Sequence, residues 1–281
     1  MAKIKIFSDS ACDLDLYYLD ELGVTMLPLI VNFDNETYRD RIDITTTEFY
    51  AKLKKFSGFP KTSQVGPGVF VEEFKKALDD GYHIICINFS SKLSGTYNSA
   101  CIAKQILESE NIDVIDTGGA SVGCGLIVRE AALMVKAGKS RLEILDRVKY
   151  LSDHMEHIFA VGHLEMLKRG GRISPAQAVM GTILNVKPIL QFKDGFIVPY
   201  DKVRGDKAII KKLIDTMRER GDIENQSLIG MCFSESNKLC FQVRDEIEKT
   251  FGKKEFVISE IGAAVGSHVG GGTVSVFFLR R

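Results

Sequence analysis

The stretch His83-Ile84-Ile85-Cys86-Ile87-Asn88-Phe89-Ser90-Ser91-Lys92-Leu93-Ser94-Gly95-Thr96-Tyr97 decides how the chain is read. Residues 83–89 form an apolar run interrupted only by Asn88, the pattern of a strand buried on both faces. A helical pattern follows over 97–108, then a second strand-like run at 112–116. Strand, helix and strand in that order make the unit of a parallel sheet. Ligands in such sheets bind beyond the carboxyl ends of the strands, at helix N-termini. The loop 90–96 stands at such an end. Ser94 and Thr96 are helix-capping residue types, and Gly95 leaves the helix start without side-chain bulk. Free backbone N–H groups, a hydroxyl and the helix dipole together seat an anion. A well-capped helix with no ligand would use the same residues.

Upstream, the sequence predicts a strand over 3–7, a polar loop over 8–13, and a helix over 14–22 capped by Asp13 and ended by Gly23. A second strand is expected over 24–33, a turn at 34–36, a helix from Thr46 or Thr47 to Phe56, and a helix over 69–78 with Pro67 in its first turn. Helices over 125–137 and 141–154 follow, the latter capped by Ser140. The fold class is α/β with two domains. Residues 1–156 are expected to form a parallel-sheet, three-layer αβα domain. Residues 157–281 are expected to form a second α/β domain. Its strands are expected at 157–161, 187–192, 196–199, 227–233, 255–259 and 273–279, with helices over 206–219 and 237–251. Asp194-Gly195 between two of these strands is a hairpin signal, so this sheet is expected to be mixed.

Composition excludes several classes. Lys+Arg and Asp+Glu both number 37, so the basic excess of a nucleic-acid binder is missing. The six cysteines include no Cys-x-x-Cys pair and several sit in apolar runs, which reads as reduced, buried thiols in a cytoplasmic protein. No apolar run approaches the ~20 residues of a membrane span, so no stable membrane insertion is expected. There is no dinucleotide fingerprint, no phosphate loop and no histidine–carboxylate spacing for a metal, so no cofactor or metal is expected. A Gly-x-Ser-x-Gly nucleophile elbow is also counted as absent.

Other loops hold candidate chemistry. Ser8-Asp9-Ser10-Ala11-Cys12-Asp13 follows the first strand and is rich in capping residues. Lys168-Arg169-Gly170-Gly171-Arg172-Ile173-Ser174 reads as a basic glycine-rich turn before a helix capped by Ser174. Arg204 precedes the helix at 206–219; an isolated arginine is most often a surface charge. Residues 262–273 hold five glycines around His268 and read as a glycine-rich loop before the last strand.

Taken in order, these segments resemble the signatures of the DegV family. They are Ser8-Asp9-Ser10 with Asp13-Leu14, Thr62-Ser63-Gln64, Ser90-Ser91-x-Leu93-Ser94-Gly95-Thr96-Tyr97, Leu167 through Ser174, Lys187-Pro188-Ile189-Leu190 and the His268 segment. The resemblance spans nearly the whole chain. It implies a two-domain protein, not itself an enzyme, that binds one long-chain fatty acid and serves a fatty acid kinase as its lipid-binding subunit. It further implies that Thr62, Ser94 and His268 hold the carboxylate with the Gly95 backbone N–H, and that Arg172 and Arg204 face the kinase or assist transfer. The alternative is a stand-alone phosphotransferase or hydrolase, with Ser94 as nucleophile, His268 as base and Asp9 or Asp13 orienting it.

Overall fold

A computed structural model gives the fold of residues 3–174 and 186–281; the helix expected after Ser174 lies outside the described residues. Strands β1 (Lys3–Asp9), β2 (Val24–Leu27), β6 (Tyr82–Asn88) and β7 (Ile112–Asp116) form an all-parallel sheet in the order β2-β1-β6-β7. Ile84, Ile85, Cys86 and Ile87 are fully buried at its centre. Helices α3 (Pro67–Asp79) and α4 (Thr96–Leu107) cover one face, and α5 (Val122–Lys136), backed by α6 (Arg141–His154), covers the other. The three-layer α/β reading holds.

Three local expectations fail here. The strand expected over 24–33 is split, because Pro28 has no N–H to continue the ladder. The Leu29 N–H instead donates to Ser10 Oγ at 3.1 Å. Beyond the break, β3 (Ile30–Phe33) joins β4 (Glu36–Arg39) and β5 (Lys61–Ser63) in a separate antiparallel sheet. β5 is three residues long, too short to show an alternating pattern. Helix α1 (Leu16–Leu22) starts two residues later than expected, with Asp15 as its cap, accepting from the Tyr17 and Tyr18 N–H groups. Asp13 instead closes a short 3-10 turn, Ser10–Cys12, in a left-handed conformation with φ 51°. That frees its carboxylate for another task.

The second sheet contains β8 (Met155–Ala160), β9 (Val186–Lys193), β10 (Phe196–Arg204), β11 (Leu228–Phe233), β12 (Glu255–Glu260) and β13 (Val274–Leu279). Its order is β10-β9-β8-β13-β11-β12, antiparallel except for β11 and β12. Asp194 and Gly195 adopt φ 51° and 81°, as the tight hairpin requires. β10 runs on past Pro199, because it is an edge strand and a register shift absorbs the proline. Helices α8 (Asp206–Arg220) and α9 (Lys238–Phe251) bury one face over Ile158, Val274, Val276 and Phe278. The other face, with Phe159, Cys232 and Phe277, meets the first domain.

At that seam, α5 is buried on nearly every side, and its glycines let both domains approach. A side chain at Gly125 would meet Cys12 O at 2.5 Å, and one at Gly123 would meet His157 Nε2 at 2.4 Å. Helix α10 (Ala263–Val269) reaches back across the seam. Asp13 Oδ1 accepts the Gly262 N–H at 2.8 Å and Asp40 Oδ1 accepts the Ala263 N–H at 2.9 Å. Arg41, itself buried, pairs with Asp13 at 3.0 Å and donates to Glu260 O. Burial pushes the Asp40 carboxyl up to about 6. Burial raises the Asp13 carboxyl as well, and the Arg41 guanidinium opposes the rise in both.

Replacing Arg41 with Met should destabilise the fold by about 3–5 kcal/mol in urea titrations near neutral pH, the cost of stranding a buried partner. The loss should shrink as pH falls through about 6, where Asp40 protonates. The exposed Arg39–Asp43 pair is the control, and Arg39→Ala should leave the midpoint nearly unchanged.

Candidate functional site

A cavity of about 350 Å³ lies at the seam, within the usual range of small-molecule sites. The first domain contributes residues just beyond the carboxyl ends of its parallel strands, among them Ala11, Leu29, Phe89 and Ala120. The second contributes Phe159, Phe192, Ile197 and Phe277 from the seam face of its sheet. Most of the wall is apolar; Thr62, Ser94, Gly95, Arg172 and His268 form a polar group within it.

His268 Nε2 and Thr62 Oγ1 are 2.7 Å apart. The other ring nitrogen, Nδ1, is buried without a partner among the described residues and faces Gly170, where an added Cβ would lie 2.2 Å away. A bare lone pair at Nδ1 costs less than a stranded N–H, so the proton belongs on Nε2. Nε2–H then donates to Thr62, whose own O–H is left for a ligand. Burial, and next the nearby Arg172 guanidinium, lower the His268 pKa to about 4. The ring is neutral near neutral pH.

Ser94 Oγ accepts the Thr96 N–H at 3.2 Å and lies 3.0 Å from Thr96 Oγ1. The cap position of α4 falls on Gly95, not on a hydroxyl residue. Nothing larger fits there, since a Cβ would meet Gln64 Oε1 at 2.0 Å. Gln64 is held by its own bond to Ser99 Oγ at 2.8 Å. Arg172 donates from Nε to Leu93 O at 3.0 Å and from Nη1 to Gly170 O, so it spans the two domains beside His268. Two hydroxyls, a helix start and one guanidinium are donors of the kind that can engage a small anion, and the neutral imidazole orients the Thr62 hydroxyl.

The structure thus gathers Thr62, Ser94, Gly95, Arg172 and His268, and leaves Arg204 outside, exposed at the end of β10. His268 is not in a loop: α10 carries it. Glycine content argues against a helix, but Asp13 and Asp40 supply caps from more than 200 positions away, which no local pattern can show. Lys168 and Arg169, read as part of a turn, close a short helix, α7 (Glu165–Arg169). Neither aspartate considered as an orienter serves His268. Asp9 accepts from Asn88, Phe89 and Ala11, while Asp13 is bound to Arg41, Ser121 and Gly262. The Ser94–His268–Asp triad of the alternative reading is therefore not assembled.

A Gly-x-Ser-x-Gly elbow, which the sequence reading counts as absent, does occur in the chain. Gly119-Ala120-Ser121-Val122-Gly123 has Gly-x-Ser-x-Gly spacing, and Ser121 sits at the start of α5 with φ 56° and ψ −148°, a strained turn like that of a nucleophile elbow. Its hydroxyl donates to Asp13 Oδ2 at 2.5 Å, and no imidazole bonds to it among the described residues. The carboxylate that takes this bond is also engaged by Arg41 and the Gly262 N–H, so Ser121 is tied into the seam cluster and not to an imidazole. No metal-binding group of His, Cys, Asp or Glu occurs among the described residues. None of their helices is long and apolar enough to cross a membrane.

A family model described as "Uncharacterised protein, DegV family" matches residues 3–281. A DegV domain-containing protein of Clostridium acetobutylicum is 37% identical, with both chains covered in full. Among solved structures, a fatty-acid-binding DegV family protein from Thermus thermophilus superposes with a TM-score of 0.92 at 33% identity, covering 100% of both chains. A stearic-acid-binding protein from Eubacterium ventriosum gives 0.90 at 29% identity, covering 99% of this chain and 98% of its own.

Gly170→Ala should drive the His268 ring away from Thr62, because the added methyl would overlap Nδ1. NMR titration should then show the His268 pKa rising from about 4 toward its ordinary 6.5. An unchanged titration would mean that Gly170 does not fix the ring.

Proposed function

The chain belongs to the DegV family, and on that premise we propose that it binds one long-chain fatty acid and presents the carboxylate to a fatty acid kinase for acyl-phosphate formation. The observation that carries this reading is the pairing of an apolar cavity with the Thr62–His268 bond and its neighbouring donors. Solved structures similar to this chain are described as fatty-acid-binding proteins, and the geometry here suits the same class of ligand. The protein acts as a carrier and not as a stand-alone enzyme. Its six cysteines are all unpaired, which agrees with work in the reducing cytoplasm.

Burial of about 15 methylenes at ~0.8 kcal/mol each supplies on the order of 12 kcal/mol before ordering costs. The tail therefore supplies the affinity. A carboxylate buried unpaired would cancel much of that. Thr62 O–H, Ser94 O–H and the Gly95 N–H offset the loss, with Arg172 close by. In this reading Arg204, exposed and outside the cavity, contacts the kinase.

Protein purified from cells should carry near-stoichiometric fatty acid by mass spectrometry of the denatured sample. Thr62→Ala, Ser94→Ala and His268→Ala should each weaken retention about tenfold. Absence of lipid from both native and expression hosts would overturn the carrier reading. Loading should also raise the His268 pKa from about 4, because a carboxylate favours the protonated ring. A His268 titration indifferent to loading would rule out the assigned head-group position. Addition of a purified fatty acid kinase and ATP to the loaded protein should yield acyl phosphate; Arg204→Ala should slow that step without altering lipid content.

A further inference from the structure

We propose that the cavity holds a second polar seat, formed by Ser275, Cys232 and Ser121, for a hydroxyl on the acyl chain, so that the preferred ligands are hydroxylated long-chain fatty acids. The proposal rests on the acyl reading above and specifies the ligand class further.

The seat shows first as a break in strand alternation. On β13, Val274, Val276 and Phe278 face the helices of the second domain, while Ser275 and Phe277 face the cavity. A wall made only to contact methylenes would carry an apolar residue at 275, as it does at Phe277 on the same face. Ser275 is instead a hydroxyl and only 4% exposed. Among the described residues its side chain makes no hydrogen bond to oxygen or nitrogen, and its neighbour is the sulfur of Cys232, its direct cross-strand partner on β11. Sulfur is a weak acceptor. Burial pushes the Cys232 thiol up to about 12, so no thiolate is present to strengthen the bond. A buried hydroxyl without a good acceptor is costly, and this one opens onto the space where the acyl chain would lie.

Ser121 supplies the complementary half. Its Oγ lies 3.4 Å from Cys232 Sγ and its proton is committed to Asp13. Asp13 is itself paired with Arg41 and accepts the Gly262 N–H. Ser121 can therefore only accept, and Ser275 is free to donate. A carbonyl or a double bond would use the donor alone; a hydroxyl uses both. The head-group seat is built from other elements, β5, the loop before α4, and α10, so the two seats can be occupied together by one molecule.

The test is binding by delipidated protein of octadecanoic acid and of hydroxyoctadecanoic acids with the hydroxyl walked along the chain. At one stretch of positions the hydroxy acid should bind the native protein about five- to tenfold tighter than octadecanoic acid, the worth of one well-made buried hydrogen bond. Ser275→Val should abolish that preference while keeping or raising affinity for octadecanoic acid; Ser275→Ala serves if the larger side chain disturbs the fold. Hydroxy acids that bind more weakly than octadecanoic acid at every position, by the same factor in native and Ser275→Ala protein, would overturn the second seat and leave the carrier reading intact. Failure of octadecanoic acid itself to bind would overturn the carrier reading and the seat with it.

Discussion

Helix α10 depends on carboxylates that lie in the other domain. Its N-terminal N–H groups point into the seam, where water cannot reach them, and an unpaired buried N–H is expensive. Asp13 and Asp40 accept the Gly262 and Ala263 N–H groups, and Arg41 offsets part of the cluster's negative charge. Because α10 is only seven residues long, fixing its start fixes its end, and His268 stands in the last turn. The carboxylate cluster positions the imidazole without touching it.

The same cluster ties the cavity wall to the Thr62–His268 pair. Ser121 lines the cavity and donates to Asp13 Oδ2, while Asp13 Oδ1 accepts from the helix that carries His268. Interiors pack as densely as organic crystals, and unfilled volume is destabilising. A chain that keeps a cavity of about 350 Å³ needs rigid walls to stop its collapse. Here the walls are two sheets and the buried helix α5, spaced by hydrogen bonds of fixed geometry. The glycines at 123 and 125 set how near the sheets come.

The strands and helices with clean periodicity were legible in the sequence. The buried run at Ile84–Ile87, the Ser140 cap with its Glu143 capping box, and the Asp194-Gly195 hairpin all carry local signals. The failures share a cause. Asp13 reads as a helix cap because aspartate before an apolar run usually is one, yet the neighbouring Asp15 takes that place. The segment around His268 reads as a loop because its helix is stabilised by distant residues. Thr62 enters the sequence reading only through the family resemblance, and it is the pairing of β5 with β3 that brings it beside His268. Site residues separated by 206 positions meet only through the packing of two domains, and a linear pattern holds no record of that.

The choice of donors has a chemical consequence. A buried lysine would hold a carboxylate more strongly, but at a large desolvation cost and with its charge neutralised at the contact. Thr62, Ser94 and the Gly95 N–H are neutral donors, and the low pKa of His268 keeps that ring neutral too. A carboxylate bound by neutral groups retains its negative charge and its nucleophilic lone pairs. Arg172, tethered to Leu93 O and Gly170 O across the two domains, is the one nearby cation, and its donors are partly committed to backbone. On the proposed reading this division suits a carrier whose partner must add a phosphoryl group to the bound carboxylate. The neutral donors orient the oxygen atoms, the tail supplies the affinity, and the acid keeps the charge it needs to attack.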